Sequence, residues 1–515
     1  MSAQRALLPR STPAASGVSS RAIVSLLDWL EAESVEIHSI MVVRHGHVVA
    51  EGWWAPYSAD RPHLLYSMTK SFTSIAVGLT IADGLLSLDD RVVDVLPDHV
   101  PADISEQGRR LTVHHLLSMT VGHATDSLED AWQLEPDDLV KGFLRVPFSE
   151  PEGTRHTYDN ATTFILARMV ERVTGRGLPE FLDERLFQPM GIEGAEWDRV
   201  GSGAAFGFHG LHLRTEAVAA FGQLLLRGGV WGDRQLIPRE WIELATSRHI
   251  ETLQLDDAWA APDFLCGYGY QFWRSRHGFF ANGAFGQQCL VVPDHDLVIV
   301  VTSALDERQP IPGAFWDFLL PGLDHPDTPE DDHLLTTRLH HLAIPLTPGA
   351  PTPTDSAAPT LAVAHSPAVA DPATPTDPAD ATPSAAPALP VKATLDASAD
   401  NSVLPDGTPV ALEPIAGDSA HDGWHLQLGA DLTLDVGYGE WRESSPLGRP
   451  AVANGAWQDN KFIADLYVIT TPHRVRVAID ATTGTATATW CTVPLTGPDL
   501  TLHLRSPLMT RPTVA

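Results

Sequence analysis

The sequence predicts an α+β chain in three parts: a mixed helix-and-strand domain over residues 1–345, a linker over 346–390 and a β-rich accessory domain over 391–515. Three observations carry this. Segments with helical and strand-like apolar periods are interspersed along the first part. From about Thr347 to Pro390 the chain turns rich in proline, alanine and threonine, without lysine, arginine or any aromatic residue. Such a stretch cannot bury enough apolar surface to fold, so it reads as a flexible, partly extended linker. Beyond it apolar residues alternate with polar ones at Leu432, Leu434 and Val436, at Val475, Val477 and Ile479, and at Leu500, Leu502 and Leu504. That is the period of half-buried strands, and it predicts a small sandwich or barrel-like module.

Residues 20–33 place Ile23, Leu26, Leu27 and Leu30 on one face of a helix. IMVVR (40–44) and VVAEGWW (48–54) flank a His45-Gly46-His47 turn and read as a hairpin. Phe72, Ile75, Ala76 and Leu79 then fall at i, i+3, i+4 and i+7, a helical stripe stopped by Gly84. Residues 111–123 predict a short helix ending at Gly122; His114 and His115 are adjacent, point in different directions and read as structural. A turn-rich stretch, FSEPEGTRHTYDN, leads into a helix closed by Gly175, with Asn160 available as its N-cap. Helices at 215–227 and 239–247 follow. Residues 267–273, 278–287 and 288–303 read as the later strands of an antiparallel sheet.

A net charge of −31 argues against nucleic acids and anionic membranes, both of which need a basic face. The three cysteines, Cys266, Cys289 and Cys491, are widely spaced and read as small buried residues rather than a disulfide or zinc framework. No HExxH or clustered Cys/His spacing occurs among the 23 histidines, so no metal or cofactor is expected. The first residues lack a signal peptide's apolar region and no stretch reaches the length of a membrane span, which makes cytoplasmic the default location.

Ser67 and Lys70 carry the chemistry. They stand one turn apart at the head of an apolar helix, so hydroxyl and amine can meet. A serine hydroxyl needs such a base to become a nucleophile. The chain has four lysines, and Lys70 alone follows a serine by three. The commonplace reading, an exposed lysine at a helix start, fits poorly beside Leu64, Leu65 and Tyr66, because an unpaired buried lysine is costly.

Taken in order, Ser67-Met68-Thr69-Lys70, Tyr158-Asp159-Asn160 and the glycine-bearing NGAFGQ (282–287) resemble the serine β-lactamase and penicillin-binding protein superfamily. They are most similar to its class C-like branch of esterases and amide hydrolases. The resemblance spans roughly residues 17–322. It implies an antiparallel sheet flanked by helices beside an all-helical subdomain, with the active site between them. It further implies that Ser67 is the acylated nucleophile and that Lys70 and Tyr158 handle its proton, the lysine cation lowering the tyrosine's pKa. Asn160 would hold Lys70 or the substrate. Backbone N–H groups of Ser67 and Ala284 would form the oxyanion hole, beside Asn282 and Gly283. The sequence departs from the family's KTG or HTG strand motif, carrying Ala281-Asn282-Gly283 and so no cation. Small esters or amides without an essential carboxylate therefore fit best. D-amino-acid peptidase or weak β-lactamase activity is one alternative, and a catalytically idle binding scaffold another. Phe279, Phe280 and Trp273 are candidate walls for an acyl pocket, against the plainer reading as core. Acyl group, leaving group and oligomeric state stay open at this level.

Overall fold

The structure, a computed structural model, describes residues 6–252, 261–305, 311–325, 327–353, 390–399, 401–415 and 423–506. It comprises two compact units. One holds Met1–Ile344, Ile469–Pro472 and Arg505–Ala515; the other holds Pro345–Val468 and His473–Leu504.

In the first unit, helix α1 (Ser20–Ala32) buries Ile23, Leu26, Leu27 and Leu30 at 2% exposure or less. Each such side chain stabilises the fold by about 1.5–3 kcal/mol. Its N-cap is Ser19, whose side chain accepts from the Ala22 N–H. The expected hairpin is β1 (Ile37–Arg44) and β2 (His47–Trp53). Short strand β3 (His63–Leu64) leads to a 3-10 turn, Tyr66–Met68, and then to α2 (Thr69–Ala82). Helix α2 is buried on every side from Thr69 to Thr80, not on one stripe alone, because the unit packs around it. Gly84, at φ 72°, follows its end in the left-handed region that glycine adopts most readily.

Further along lie α3 (Asn160–Thr174), β4 (Glu196–Trp197), β5 (Leu211–Leu213) and α4 (Thr215–Leu226). Strands β6 (Trp273–Ser275), β7 (Gly278–Gly283), β8 (Gln287–Val292) and β9 (Leu297–Ser303) follow, then α5 (Pro329–His340). Six of the strands form one antiparallel sheet in the order β2-β1-β9-β8-β7-β6. Strand β1 is buried along its whole length, as a central strand covered on both faces must be. Helix α4 lies against β1, β8 and β9, and α5 against β2 and α1. Residues 267–272, expected in a strand, form no strand; Tyr268 alone among them makes isolated bridges, to Ile250 and Trp273. The expected helix at 111–123 is one short helix, Val113–Leu117.

The second unit is one nine-stranded sheet of β10 (Val391–Leu395), β11 (Pro409–Pro414), β12 (Trp424–Leu428), β13 (Leu432–Val436), β14 (Arg442–Ser444), β15 (Ala451–Gln458), β16 (Lys461–Tyr467), β17 (Arg474–Asp480) and β18 (Thr485–Trp490). The order is β13-β12-β11-β10-β18-β17-β16-β15-β14. Its two edges nearly close on each other, where Gly437 bridges Asn454. The interior is filled by rings: Trp424 and Trp457 pack on Phe462 with centroids 4.7 and 5.4 Å away. Leu500–His503 is a helical turn capped by Asp499, not the strand the alternation suggested. Leu500 and Leu504 lie four apart, a spacing that strand and helix periods share.

Most of the segment read as a linker lies outside the described residues. Its first residues run along the second unit, where Ala350 bridges Trp457 and the Thr347 N–H donates to Asn454 Oδ1 (2.7 Å). Among the cysteines, Cys289 is buried as expected, whereas Cys266 is partly exposed and Cys491 exposed. Among the described residues no helix is long and apolar enough to cross a membrane.

Candidate active site

The approach to Ser67 is a tightly tied turn. Tyr66 takes a left-handed φ of 49°, a conformation costly for a bulky side chain and held only by strong surroundings. Two hydrogen bonds tie the flanking residues: Leu65 N–H donates to the Leu211 carbonyl (2.9 Å), and Leu211 N–H donates to the Thr69 hydroxyl oxygen (3.3 Å). Ser67 sits half-buried in the 3-10 turn that precedes α2, rather than inside the helix.

Lys70 is 1% exposed. Its Nζ is 2.8 Å from Ser67 Oγ, 2.6 Å from Asn160 Oδ1 and 3.0 Å from the Phe208 carbonyl oxygen. The last two atoms can only accept. Asn160 cannot be turned round, because its Nδ2 already donates to the Asp126 carboxylate. A neutral amine has two N–H bonds and one lone pair. With both N–H bonds spent on Asn160 and Phe208, the lone pair faces the Ser67 hydroxyl. Burial pulls the Lys70 pKa down to about 7, against the opposing pull of the Asp126 and Asp159 carboxylates. The neutral form is therefore within reach at ordinary pH.

Tyr158 shares a hydrogen bond with Ser67, and Lys70 Nζ lies 4.8 Å from its ring centroid. Part of the tyrosine remains open to solvent, but protein packs closely round its hydroxyl. That burial raises its pKa, although the bond to Ser67 pulls the other way. This corrects the expectation of a tyrosine depressed by a lysine cation. Desolvation of the phenol itself is the main cause, and the Asp126 carboxylate adds to the rise.

Three supports were not legible beforehand. Asp159, not Asn160, caps α3 by accepting from the Ala161 N–H, which leaves the Asn160 side chain for Lys70. Asp159 is wholly buried and also meets His123 Nδ1 (3.0 Å) and the Ser127 hydroxyl (2.8 Å). Asp126 accepts the Asn160 backbone N–H (3.0 Å) besides its amide. Desolvation and the neighbouring Asp159 raise the Asp126 pKa, a rise that solvent at its exposed edge tempers. Nothing in the run Thr125-Asp126-Ser127 marks it as more than a helix entry. The Phe208 carbonyl has no side-chain signal at all.

Strand β7 runs beside the Ser67 turn. A Cβ on Gly283 would lie 2.0 Å from the Leu65 carbonyl oxygen, so no other residue fits there without displacement. The contact brings Ala284, the next residue, alongside the turn. Asn282 is partly exposed, its Oδ1 accepting from Gln288 Nε2 (3.1 Å), while Ala281 is buried. Of the three aromatic candidates, Trp273 stacks on Tyr158 at 5.9 Å and 16°. Phe280 is fully buried and packs edge-on to Phe264, and Phe279 belongs to the main core. His114 Nδ1 lies 2.7 Å from the Tyr270 hydroxyl.

A family model described as Beta-lactamase matches residues 31–314. The chain belongs to the beta-lactamase family, and it is a hydrolase of that family. It is 25% identical over 316 residues to 6-aminohexanoate-dimer hydrolase of Paenarthrobacter ureafaciens, across 57% of this chain and 80% of that one. Esterase EstB of Burkholderia gladioli is 32% identical over 178 residues, 30% of this chain and 44% of its own length. In fold, it is similar to a solved structure from Bacillus anthracis, provisionally assigned as a 6-aminohexanoate-dimer hydrolase. There the TM-score is 0.50 at 19% identity, covering 61% of this chain and 86% of that chain.

Proposed function

We propose that this chain hydrolyses small, neutral esters or linear amides through an acyl-enzyme on Ser67. The observation that carries the reading is the buried Lys70 nitrogen, 2.8 Å from Ser67 Oγ, with two further partners, Asn160 Oδ1 and the Phe208 carbonyl oxygen, that can only accept. In this reading Lys70 takes the serine proton as Oγ bonds to the substrate carbonyl carbon. The N–H groups of Ser67 and Ala284 receive the developing oxyanion. Collapse breaks the ester or amide bond, and the protonated Tyr158 hydroxyl supplies a proton to the leaving oxygen or nitrogen. Lys70 returns its proton to the tyrosine, and water then cleaves the acyl-enzyme by the reverse sequence.

The substrate class follows from the third motif. Ala281 stands where the resemblance would put a cation, so a substrate carboxylate would have Asn282 and backbone groups as partners but no opposite charge. An unpaired charge in a desolvated cleft is expensive. The name of one relative, an esterase, supports ester substrates. The second unit has no part in the chemistry in this reading, and a cytoplasmic setting is supported by three cysteines that form no disulfide. The test is kcat/KM for a short-chain p-nitrophenyl ester beside nitrocefin on the unmodified chain. The ester should be favoured by 100-fold or more, on the order of 2.7 kcal/mol. Equal or better turnover of nitrocefin would favour the β-lactamase or peptidase reading instead.

A further inference from the structure

Where β5 ends and α4 begins, the chain buries a cation that the proposed chemistry does not use. Arg214 is 9% exposed, and its Nη2 is sealed from solvent without a hydrogen-bond partner. Among the described residues its guanidinium makes no hydrogen bond, ion pair or ring contact. A guanidinium stays charged at any ordinary pH and presents a planar fork of N–H donors. Burying it alone is expensive, because it gives up hydration and gains no counter-charge. Arg44 shows the usual arrangement: it is 3% exposed and donates to the Gly17 carbonyl oxygen (2.5 Å) and to Asp324 Oδ1 (2.7 Å).

Arg214 is also the N-cap residue of α4, a helix of 12 residues, and its side chain caps none of the first-turn N–H groups. Its carbonyl oxygen accepts from the Ala217 and Val218 N–H groups (2.9 and 3.2 Å). The N–H groups of Thr215 and Glu216 stay outside the helix's own ladder, at the positive end of its dipole. The carboxylate of that turn is engaged elsewhere: Glu216 accepts from the Leu7 and Leu8 N–H groups (3.0 and 3.3 Å) and pairs with Arg10. Thr215 lines a small cavity together with Ser58, Arg61 and His63. Asp60 is the carboxylate that feels Arg214. Its pKa is lowered chiefly by a bond from the Ser58 hydroxyl, with smaller contributions from Arg61 and Arg214. It is exposed and makes no ion pair with Arg214.

We propose that Arg214 and the first turn of α4 bind a small oxyanion, the phosphate or carboxylate group of a soluble ligand. Both parts favour the same guest. The guanidinium fork matches two oxygens of a carboxylate or phosphate, and unbonded amides at a helix start favour negative charge. The guest supplies the counter-charge that the buried guanidinium lacks. Strand β5 pairs with β3 through His63↔Leu213, so the site begins one residue beyond that pair. It is built from residues other than Ser67, Lys70 and Tyr158. The net charge of −31 repels anions from the chain as a whole, so saturable anion binding needs a local cause.

The experiment is equilibrium dialysis of the full chain against radiolabelled inorganic phosphate and, separately, radiolabelled butyrate, at neutral pH and fixed ionic strength. The unmodified protein should bind one anion per chain saturably. Tighter binding of phosphate assigns the site to phosphoryl groups, and tighter binding of butyrate assigns it to carboxylates. Arg214→Met should weaken binding by on the order of tenfold or more, and Arg214→Lys, which keeps the charge without the fork, by several-fold. Without anion, Arg214→Met should unfold at no lower a temperature than the unmodified chain, since it removes an unpaired buried charge. With anion, the unmodified chain should gain and Arg214→Met should not. Absence of saturable binding of either anion overturns the proposal. So does undiminished binding by folded Arg214→Met or, should that variant not fold, by Arg214→Lys. None of these readouts involves ester turnover.

Discussion

Lys70 is stripped of water, which favours its neutral amine over the ammonium, while its acceptors, Asn160 Oδ1 and the Phe208 carbonyl oxygen, pull the other way. Its neutral fraction grows as pH rises through about 7. The expected kcat/KM profile for a neutral ester therefore has an acidic limb with an apparent pKa near that value. The Asp126 carboxylate raises the Lys70 pKa, so Asp126→Asn should move the limb towards lower pH. A limb left in place, measured across pH 5 to 9, would show that Asp126 does not act through Lys70. Stability carries the same signature. Between the folded value and the ordinary 10.5 the unfolded chain holds more of the lysine proton, so Lys70 makes the fold more stable as pH rises through that window. Lys70 and Tyr158 are expected to work as a unit. Lys70→Ala, Tyr158→Phe and the double variant should lose similar amounts of kcat, since residues acting together are non-additive. Single losses that simply sum in log kcat would separate them. At this scale Ser67 and Lys70 are legible as candidates because a serine and a base at helical spacing leave a side-chain signature, whereas Tyr158 and Asn160 enter through the family resemblance. Asp126 and the Phe208 carbonyl left none, since one entered as a turn residue and the other acts through its backbone.

The elements matter through how closely they approach the Ser67 turn. Gly283 touches the Leu65 carbonyl so closely that Gly283→Ala must push β7 away or distort the turn. A displacement of ~1 Å costs about 100-fold in rate when it misaligns reacting groups. That loss should appear in kcat while the far-UV circular dichroism stays unchanged; full activity in Gly283→Ala would remove β7 from the site. Asp159 is a cap and a buried partner at once. A cap alone is worth ~1 kcal/mol, and His123 and Ser127 would also lose their acceptor in Asp159→Ala. Strong periods made most elements readable, as at α1 and the β1–β2 hairpin. Short ones are ambiguous: Leu500, Leu502 and Leu504 alternate as a strand would, yet a spacing of four fits both periods and the segment is a helical turn. Residues 267–272 carry strand-forming aromatics, yet isolated bridges and side-chain packing determine their path.

Across the whole molecule the fold class was readable from mixed periods in the first part and alternation in the last. The near closure of the second unit was not, because it depends on Gly437 meeting Asn454, a pairing that no local pattern announces. The proline- and alanine-rich stretch makes a separate prediction. It lacks lysine, arginine and aromatic residues, so trypsin and chymotrypsin should spare it while elastase or proteinase K cuts there first. First cuts mapped elsewhere, with residues 354–389 intact, would contradict its reading as a linker. The central claim, that Ser67 is acylated, is tested most directly by intact-mass analysis after brief exposure to a fluorophosphonate or a slowly turned-over p-nitrophenyl ester. The unmodified chain should gain the mass of one acyl or phosphonyl group, localised to the peptide containing Ser67, and folded Ser67→Ala should gain nothing. An adduct elsewhere, or undiminished ester turnover by folded Ser67→Ala, would contradict it.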